Sequence, residues 1–364
     1  MSKVRINLGD RSYDILIEEN LLKKVPEDLL IEEKGNQAAL ISNETVYMLY
    51  GKKLSEELKL KGFQVFEYII PEGESYKSWD IAGSILTKML EDKISRDAFI
   101  VALGGGVIGD LAGFVASIYQ RGIKFYQIPT SLLAQVDSSV GGKVAVNHAM
   151  GKNMIGSFYQ PKKVYIDTKV LLSLPPRDWK SGLAEIIKYG IIKDKSFFEY
   201  IENNTEKIKN KDLIVFEYLI RRSCEIKGEI VEADEREGGI RAYLNLGHTI
   251  AHGIETITEY EYFRHGEAVA AGITVITNLA VEKGYLSQIE GEKINNLLKN
   301  LGMEYKLPKM PGDMFMEILQ LDKKNQKGKL ILIIPKEIGF VEKTDIISAF
   351  ELKEFLLSQG VLRG

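Results

Sequence analysis

Residues 98–110 read AFIVALGGGVIGD, an uninterrupted apolar run that ends in a cluster of glycines. The run has the length of a fully buried strand, and residues 107–117 continue in a pattern typical of a helix. A strand, a glycine-rich turn and a helix in this order present backbone N–H groups and a helix N-terminus to a phosphate. The spacing Gly104-x-Gly106-x-x-Gly109 satisfies the dinucleotide fingerprint, although a tight, closely packed turn gives the same pattern. No acidic residue stands on a clear second strand about 20 residues later, so any dinucleotide site here is predicted to be of a variant type.

Strand and helix signals alternate on both sides of this stretch. Residues 38–41, 63–70 and 124–128 have strand-like apolar runs, whereas residues 44–60 and 78–91 have helical patterns. This alternation predicts a parallel sheet covered by helices. Residues 71–78 (PEGESYKS) and 128–131 (IPTS) each follow a predicted strand and carry carboxylate, ammonium or hydroxyl groups. Because ligands of open α/β sheets bind at the carboxyl edge, these segments together support a phosphate-rich ligand there, although each alone is better explained as a turn or a helix cap.

The character of the chain changes after Pro175-Pro176. From there the pattern is helical almost to the end, except for residues 330–334 and 339–341, which look like a late hairpin. The length of 364 residues also favours two domains. We therefore predict an α/β domain with a Rossmann-like parallel sheet over residues 1–170, and a mostly helical domain over residues 171–364.

Histidine is rare in this chain, and its distribution is uneven. Only four histidines occur, and His248 and His252 are spaced i, i+4 in the segment LNLGHTIAHG, with Asn245 three residues before His248. We expect these three side chains on one helix face. His265 follows at the expected entry to another helix, whereas His148 lies near a Gly/Lys-rich stretch. The concentration predicts a metal or proton-transfer site between residues 245 and 265.

A carboxylate that could complete a metal site is Glu185, which lies in the apolar run GLAEIIKYG with Lys188 one turn later. A buried carboxylate is costly unless a cation compensates it, and a divalent ion would do so. Glutamate with two histidines leaves positions open for water or substrate, as in catalytic zinc sites. An intrahelical ion pair between Glu185 and Lys188 is the alternative. The single cysteine, Cys224, excludes a structural cysteine-zinc site.

Composition limits the classes of partner and compartment. The 48 basic and 51 acidic residues give a net charge of −3, which argues against nucleic-acid binding. Basic residues gather instead near the glycine-rich middle, around Lys143 and Lys152, which favours a small anionic ligand over a polyanion. One cysteine fits a reducing compartment, no signal-peptide core begins the sequence, and no apolar run approaches the ~18 residues of a membrane span. We expect a cytoplasmic protein that does not associate with membranes.

Taken in order, these segments resemble the 3-dehydroquinate synthase family of sugar phosphate cyclases along essentially the full length of the chain. The matching segments are residues 71–77, 104–110, 121–122, 135–143, 151–153, 182–188, 234–237, 241–252, 265–269 and 322–324. Where the family often has Thr-Thr, this chain has Thr130-Ser131, which keeps a hydroxyl.

The resemblance implies a dehydroquinate synthase-like fold, NAD in the first domain and a catalytic zinc or cobalt ion held by Glu185, His248 and His265. His252 then becomes a neighbouring or proton-handling group. NAD contacts would come from Glu74, Lys77, Gly105, Gly106, Val107, Ile108, Gly109, Asp110, Thr130, Ser131, Lys143 and Lys152. Substrate contacts would come from Arg121, Asp137, Lys152, Asn153, Lys188, Lys227, Glu237, Arg241, Asn245, His252 and Lys323 or Lys324, with Arg121 arriving from the second subunit of a homodimer.

The family reaction converts 3-deoxy-D-arabino-heptulosonate 7-phosphate into 3-dehydroquinate and phosphate in the shikimate pathway, and so supplies aromatic amino acid biosynthesis. It is a carbon–oxygen lyase reaction with transient oxidation by NAD, β-elimination of phosphate, reduction and intramolecular aldol closure. Three alternatives stay open at this point. They are a cyclase for a sugar phosphate without a carboxylate, a metal-dependent polyol dehydrogenase that releases NADH, and a non-catalytic NAD-binding module. Arg241 and residues 322–324 argue against the first, because a guanidinium suits a carboxylate.

Overall fold

The structure, a computed structural model, describes residues 1–258, 262–321 and 330–363. The chain forms two compact units. The first contains Met1–Leu174 and Leu213–Glu235, and the second contains Pro175–Asp212 and the chain from Arg236 onward. Among the described residues, no helix combines the length and the apolar character needed to cross a membrane.

The described strands are β1 (Ser2–Ile6), β2 (Tyr13–Glu18), β3 (Gln37–Asn43), β4 (Gln64–Ile70), β5 (Phe99–Gly104), β6 (Lys124–Pro129), β7 (Lys143–His148), β8 (Gly151–Phe158), β9 (Lys163–Asp167), β10 (Met310–Pro311), β11 (Leu332–Glu337), β12 (Phe340–Thr344) and β13 (Leu362–Arg363). The described α-helices are α1 (Val25–Glu32), α2 (Glu44–Val46), α3 (Lys52–Leu60), α4 (Trp79–Glu91), α5 (Gly106–Ile118), α6 (Pro176–Lys193), α7 (Lys195–Asn203), α8 (Thr205–Lys209), α9 (Leu213–Ala233), α10 (His248–Ile257), α11 (His265–Glu282), α12 (Gln288–Asn300), α13 (Gly312–Leu321) and α14 (Ala349–Ser358).

Seven strands of the first unit form one sheet in the order β1-β2-β9-β6-β5-β3-β4. Strand β1 pairs with β2 antiparallel, and the other pairs are parallel. The sheet confirms the predicted α/β class. Strands β4 and β5 lie on opposite sides of β3, so the strand order reverses between β3 and β5, which is where open α/β sheets bind ligands.

Both faces of this sheet are covered. Every residue of β5 is buried, as expected for a central parallel strand. One core cluster packs α4 and α5 against one face, and a second packs α1 and α3 against the other. Strands β7 and β8 form a separate antiparallel hairpin, in a segment whose sequence reads as a glycine-rich loop or phosphate clamp.

The second unit is mainly helical, as predicted, and β11 and β12 form the expected late hairpin. The division at Leu174/Pro175 lies close to the predicted boundary at residue 170, but the structure also groups α9 with the first unit. Three contacts explain this grouping. Lys227 of α9 pairs with Asp137, the Cys224 thiol donates to the Gln135 carbonyl, and Gly228 lies against Ile6 of β1.

Candidate active site

Three ligand-type side chains of the second unit converge at the starts of two helices. Glu185 lies on α6, His248 is the first residue of α10 and His265 is the first residue of α11. Glu185 Oε1 is 3.6 Å from Nε2 of His248 and 3.7 Å from Nε2 of His265. The three ligand atoms all lie within 4.8 Å of one another, close enough to share one ion. The structure thus brings together the ligand set implied by the family resemblance.

Glycines beside the two histidines allow the three helices to approach closely. A Cβ on Gly266, next to His265, would collide with the backbone carbonyl of Ser181, one turn before Glu185 on α6. A Cβ on Gly247, next to His248, would lie 2.8 Å from atoms of Ile273 on α11. Gly247 also has a φ of +78°, which glycine adopts without strain. The backbone at these points therefore fixes where the three side chains meet.

The Glu185 carboxylate is fully buried, and Lys188, 1% exposed, forms an ion pair with it. This is the intrahelical pair considered as the alternative, and it occurs together with the two histidines. Apart from this ion pair, neither carboxylate oxygen of Glu185 has a hydrogen-bond donor among the described residues. Buried carboxylates normally accept such bonds, so this donor set fits a divalent cation that would occupy the remaining lone pairs.

Both histidines hold the tautomer that a metal ligand needs. Nδ1 of His248 lies 3.2 Å from the Leu246 carbonyl, and Nδ1 of His265 lies 3.2 Å from Oε1 of Glu255. Because a carbonyl and a carboxylate accept, each Nδ1–H donates and each Nε2 presents its lone pair toward Glu185. Burial, and then the charge of Lys188, holds the pKa of His248 well below its usual range, so this imidazole is neutral.

Glu255 is the site residue that sequence reasoning missed. It is 5% exposed and lies on α10 seven residues after His248, which is two turns along the same helix face. The signal that identified Glu185, a carboxylate inside an apolar helical run, is also present at HTIAHGIE. A carboxylate that accepts from a ligand histidine orients the ring and raises its basicity.

Asn245 departs from the sequence interpretation, which placed it on one helix face with His248 and His252. Asn245 does not share a helix face with the histidines, because Gly247 separates the 3₁₀ segment Ile240–Asn245 from α10. Its side chain is exposed and donates to Glu237 over 3.4 Å. His252 is exposed, with its ring centre 5.8 Å from that of His248, and lies outside the ligand cluster.

Arg241 is 2% exposed in the 3₁₀ segment. Lys323 and Lys324 lie outside the described residues.

In the first unit, the predicted cofactor segments meet at the carboxyl edge of the sheet. The turn after β5 leads into α5 at Gly106, and the Thr130 N–H after β6 donates to the Gly104 carbonyl over 2.9 Å. A Cβ on Gly105 would lie 3.3 Å from Oγ of Ser131, so this backbone is closely approached. Ser131 also accepts from the Ala134 N–H over 3.2 Å. The N-terminus of α5 and these hydroxyls form a surface suited to a phosphate group.

Lys77 and Asp110 form an ion pair beside this turn, with Nζ 2.6 Å from Oδ2. Burial opposes the charge of Lys77, but the carboxylates of Asp110 and Glu74 outweigh it and raise the pKa of this lysine. The ammonium is thus held in place by protein carboxylates. Glu74 accepts from the Asn147 side chain over 2.8 Å, and this contact fixes the carboxylate that follows β4.

The remaining predicted residues of the first unit lie on the hairpin and in the loops. Lys152 and Asn153 are on β8, Lys143 begins β7, and Arg121 is exposed with a φ of +68° after a kink at Gln120. Lys227, 7% exposed, donates to the Asp137 carboxylate over 2.8 Å and to its carbonyl over 2.7 Å. Lys227 is therefore a residue of the first unit, although the predicted boundary assigned it to the helical domain.

Comparison with known families matches both parts of the chain. The N-terminal model of 3-dehydroquinate synthase matches residues 67–181, and the C-terminal model matches residues 182–325. The chain belongs to the 3-dehydroquinate synthase family. A 3-dehydroquinate synthase from Thermodesulfovibrio yellowstonii is 50% identical over 357 residues, which cover 98% of this chain and 99% of the relative.

Two solved structures of the wider superfamily share the fold. A 2-deoxy-scyllo-inosose synthase, complexed with carbaglucose-6-phosphate, NAD+ and Co2+, has a TM-score of 0.89 at 26% identity, covering 99% of this chain and 100% of that one. The 2-epi-5-epi-valiolone synthase ValA from Streptomyces hygroscopicus, with NAD+ and Zn2+ bound, has a TM-score of 0.88 at 25% identity, covering 97% and 98% of the two chains.

Proposed function

We propose that the chain is the lyase that converts 3-deoxy-D-arabino-heptulosonate 7-phosphate into 3-dehydroquinate and phosphate, with NAD and a divalent zinc or cobalt ion as cofactors. The observation that carries this proposal is the Glu185, His248 and His265 cluster in a chain that is 50% identical to a 3-dehydroquinate synthase over 98% of its length. The two related structures contain NAD+ with Zn2+ or Co2+.

Glu185, His248 and His265 would hold the metal. When bound, this ion supplies a Lewis acid that acidifies a substrate hydroxyl and stabilises a developing oxyanion. Lys188 holds one side of the Glu185 carboxylate, and Glu255 holds the ring of His265. The exposed imidazole of His252 would exchange protons with solvent beside these groups.

The segments after β4, β5 and β6 would hold NAD, which when bound supplies a hydride acceptor that later returns the hydride. Glu74 has an oriented carboxylate suited to ribose hydroxyls. The turn from Gly105 to Asp110 offers backbone N–H groups to the pyrophosphate, and Thr130 and Ser131 add hydroxyls. Lys77, Lys143 and Lys152 supply positive charge near these groups. The first unit is thereby proposed as the NAD-binding domain, and the second as the metal- and substrate-binding domain.

Side chains with a matching charge would bind the ends of the substrate. Lys152, Asn153 and Arg121 suit the phosphate, and the guanidinium of Arg241 suits the carboxylate. Asp137, Lys188, Lys227, Glu237 and Asn245 suit the hydroxyls, with Lys323 or Lys324 assisting. Arg241 separates this proposal from a cyclase for carboxylate-free sugars, because the planar guanidinium is well shaped to bind a carboxylate. The identity of 50% to a 3-dehydroquinate synthase, against 25% and 26% to the other cyclases, points the same way.

We also propose that the protein acts in the cytoplasm as a homodimer, in which Arg121 reaches the phosphate of the other subunit. The single cysteine supports a reducing compartment. Arg121 is exposed, in a kinked segment with a positive φ, and this supports a role outside its own subunit.

The deciding experiment measures phosphate release from 3-deoxy-D-arabino-heptulosonate 7-phosphate by metal-loaded enzyme with NAD, while absorbance follows NADH. The proposal expects phosphate release without net NADH, abolished by chelation or by His248→Ala. As a matched control, His148→Ala removes the one histidine of the first unit and should leave bound metal unchanged. Steady accumulation of NADH would instead identify a dehydrogenase. Absence of turnover despite bound metal and NAD would redirect the search to carboxylate-free sugar phosphates.

A further inference from the structure

Asn147, the residue before the end of β7, connects two segments that the proposed function assigns to different ligands. Its backbone N–H donates to the Lys77 carbonyl over 2.8 Å, and its side-chain amide donates to Oε1 of Glu74 over 2.8 Å. Its side-chain oxygen accepts from the Asn153 N–H over 3.0 Å. The first two contacts hold the proposed ribose-binding segment, and the third holds the proposed phosphate-binding segment.

We propose that Asn147 is a positioning residue that couples cofactor binding to binding of the substrate phosphate. The inference rests on the proposed function, because Glu74 and Lys77 are assigned there to NAD and Asn153 to the substrate phosphate, while Lys152 is assigned to both. Asn147 itself touches neither ligand. It acts by fixing the Glu74 carboxylate on one side and the Asn153 backbone on the other.

The chemistry of this position requires an amide. The side chain must donate to the Glu74 carboxylate and also accept from the Asn153 N–H. Asparagine does both, because its amide NH₂ donates and its amide oxygen accepts. Aspartate would keep the acceptor for Asn153 but would place a second negative charge against Glu74. Alanine would remove both contacts.

The backbone of the phosphate-binding segment needs this support. Asn153 has a φ of +57°, in the left-handed region, which asparagine adopts at a lower cost than other non-glycine residues but not as freely as glycine. Its N–H is oriented by the bond to Asn147. Where NAD fixes Glu74, Asn147 is fixed as well, and the segment that carries Lys152 and Asn153 is ordered before phosphate arrives. By thermodynamic reciprocity, phosphate then strengthens NAD binding by the same factor.

The test is a titration of metal-loaded, full-length protein with inorganic phosphate, with and without saturating NAD. In the unaltered protein we expect NAD to tighten phosphate binding at least about fivefold, the lower end of usual couplings. In Asn147→Ala this factor should fall to about one, and the KM values for NAD and sugar phosphate should each rise about tenfold, as for one lost hydrogen bond per segment. In Asn147→Asp the factor should also fall to about one, although the bond to Asn153 survives, because the new carboxylate repels Glu74.

His148→Ala is the matched control. His148 Nδ1 accepts from the Met150 N–H over 3.1 Å, so this variant also removes one side-chain acceptor from the same hairpin, but without a bond to the Glu74–Lys77 segment. It should keep the coupling factor. An unaltered protein without coupling, an Asn147→Ala variant that retains it, or a His148→Ala variant that loses it would each overturn the inference. Should Asn147→Ala fail to fold, the nearly isosteric Asn147→Asp decides alone. Failure of the proposed function is distinct, since the unaltered enzyme would then release no phosphate from the sugar phosphate.

Discussion

At the residue scale, the metal cluster shows how a few buried charges determine the chemistry of a site. Glu185 is a fully buried carboxylate beside two histidines, one of which is kept neutral by burial and by Lys188. A neutral imidazole has a lone pair available for a cation, whereas an imidazolium does not. The Leu246 carbonyl accepts from His248 and Glu255 accepts from His265, so the lone pair of each ring is directed toward Glu185.

Glu255→Gln tests whether the carboxylate that accepts from His265 supports metal binding. An amide cannot stabilise the Nδ1–H of His265 as a carboxylate does, so we expect metal affinity to fall about 10–100-fold with little change in fold. A competitive titration with a chromogenic chelator measures the affinity. Glu267→Gln is the control, because Glu267 is also buried on the helix that begins with His265, but it pairs with Arg177 instead. It should lower the melting temperature and leave the metal affinity unchanged. Equal metal affinity in Glu255→Gln and the unaltered protein would exclude the role of Glu255.

Two features of the sequence indicated where the metal site lies. They are a carboxylate inside an apolar helical segment and the clustering of the rare histidines. Spacing alone could not choose between His252 and His265, because the choice depends on how α10 and α11 cross. That crossing is set by Gly247 and Gly266, whose effect appears only once the helices are packed.

At the element scale, Gly113 allows α5 to pack closely against the hairpin strand β7, because glycine has no side chain at the contact. A Cβ on Gly113 of α5 would collide with Cγ1 of Val144, and would lie 3.2 Å from Phe125. This close approach places β7, and with it the segment that carries Lys152, against the helix whose N-terminus forms the glycine turn. Neither the helical pattern of α5 nor the glycine-rich sequence of residues 141–156 reveals this packing.

Gly113→Ala should therefore destabilise the protein by about 1–3 kcal/mol through overpacking. Gly83→Ala is a control of opposite sign. Gly83 lies in α4, and a Cβ there would meet no atom within 4 Å. The same substitution should stabilise the protein by about 0.5–1 kcal/mol through helix propensity. Urea unfolding measures both. Adding Val144→Ala to Gly113→Ala should cost less than the sum of the single changes, and additivity of the two would contradict the packing argument.

A second element-scale contact joins α3 to β4 through Glu67. Burial disfavours its carboxylate, but hydrogen bonds from Lys59, Ser55 and Tyr47 outweigh that effect and lower the pKa of Glu67 to about 2. Because the folded pKa lies below the unfolded value, the stabilisation is present above about pH 4.5 and is lost as the pH falls toward about 2.

Glu67→Gln should therefore be less stable than the unaltered protein by about 1–2 kcal/mol at neutral pH, after allowance for partial solvent screening. The difference should shrink as the pH falls through the range between the two pKa values. Unfolding by urea at several pH values measures it. Glu56→Gln, at an exposed position of α3, is the control and should leave the free energy of unfolding at neutral pH unchanged. A pH-independent difference for Glu67→Gln would show that the charge of Glu67 does not contribute.

At the scale of the whole molecule, the order of elements was predictable and their grouping was not. Hydrophobic periodicity identified β3, β4, β5 and β6 and the change to helices after Pro175, because those patterns are local. It missed β1, β2, β9 and the β7–β8 hairpin. It also gave no sign that α9 returns to the first unit, where Lys227 meets Asp137 some 90 residues earlier. Contacts of that sequence separation depend on topology, and a single sequence does not encode them as a pattern.

The division into two units predicts that the two cofactors protect different parts of the chain from hydrogen exchange. A divalent ion binds side chains at α6, α10 and α11, so zinc should slow amide exchange in those helices, and chelation should reverse the effect. NAD should slow exchange in the β4–α4 and β5–α5 connections, where the glycine turn and Glu74 lie. Hydrogen exchange, followed by mass spectrometry of proteolytic peptides, measures the protection of each of these segments. His248→Ala should abolish protection by zinc and retain protection by NAD. If zinc protected only the connections of the first unit, the assignment of the metal to Glu185, His248 and His265 would be wrong.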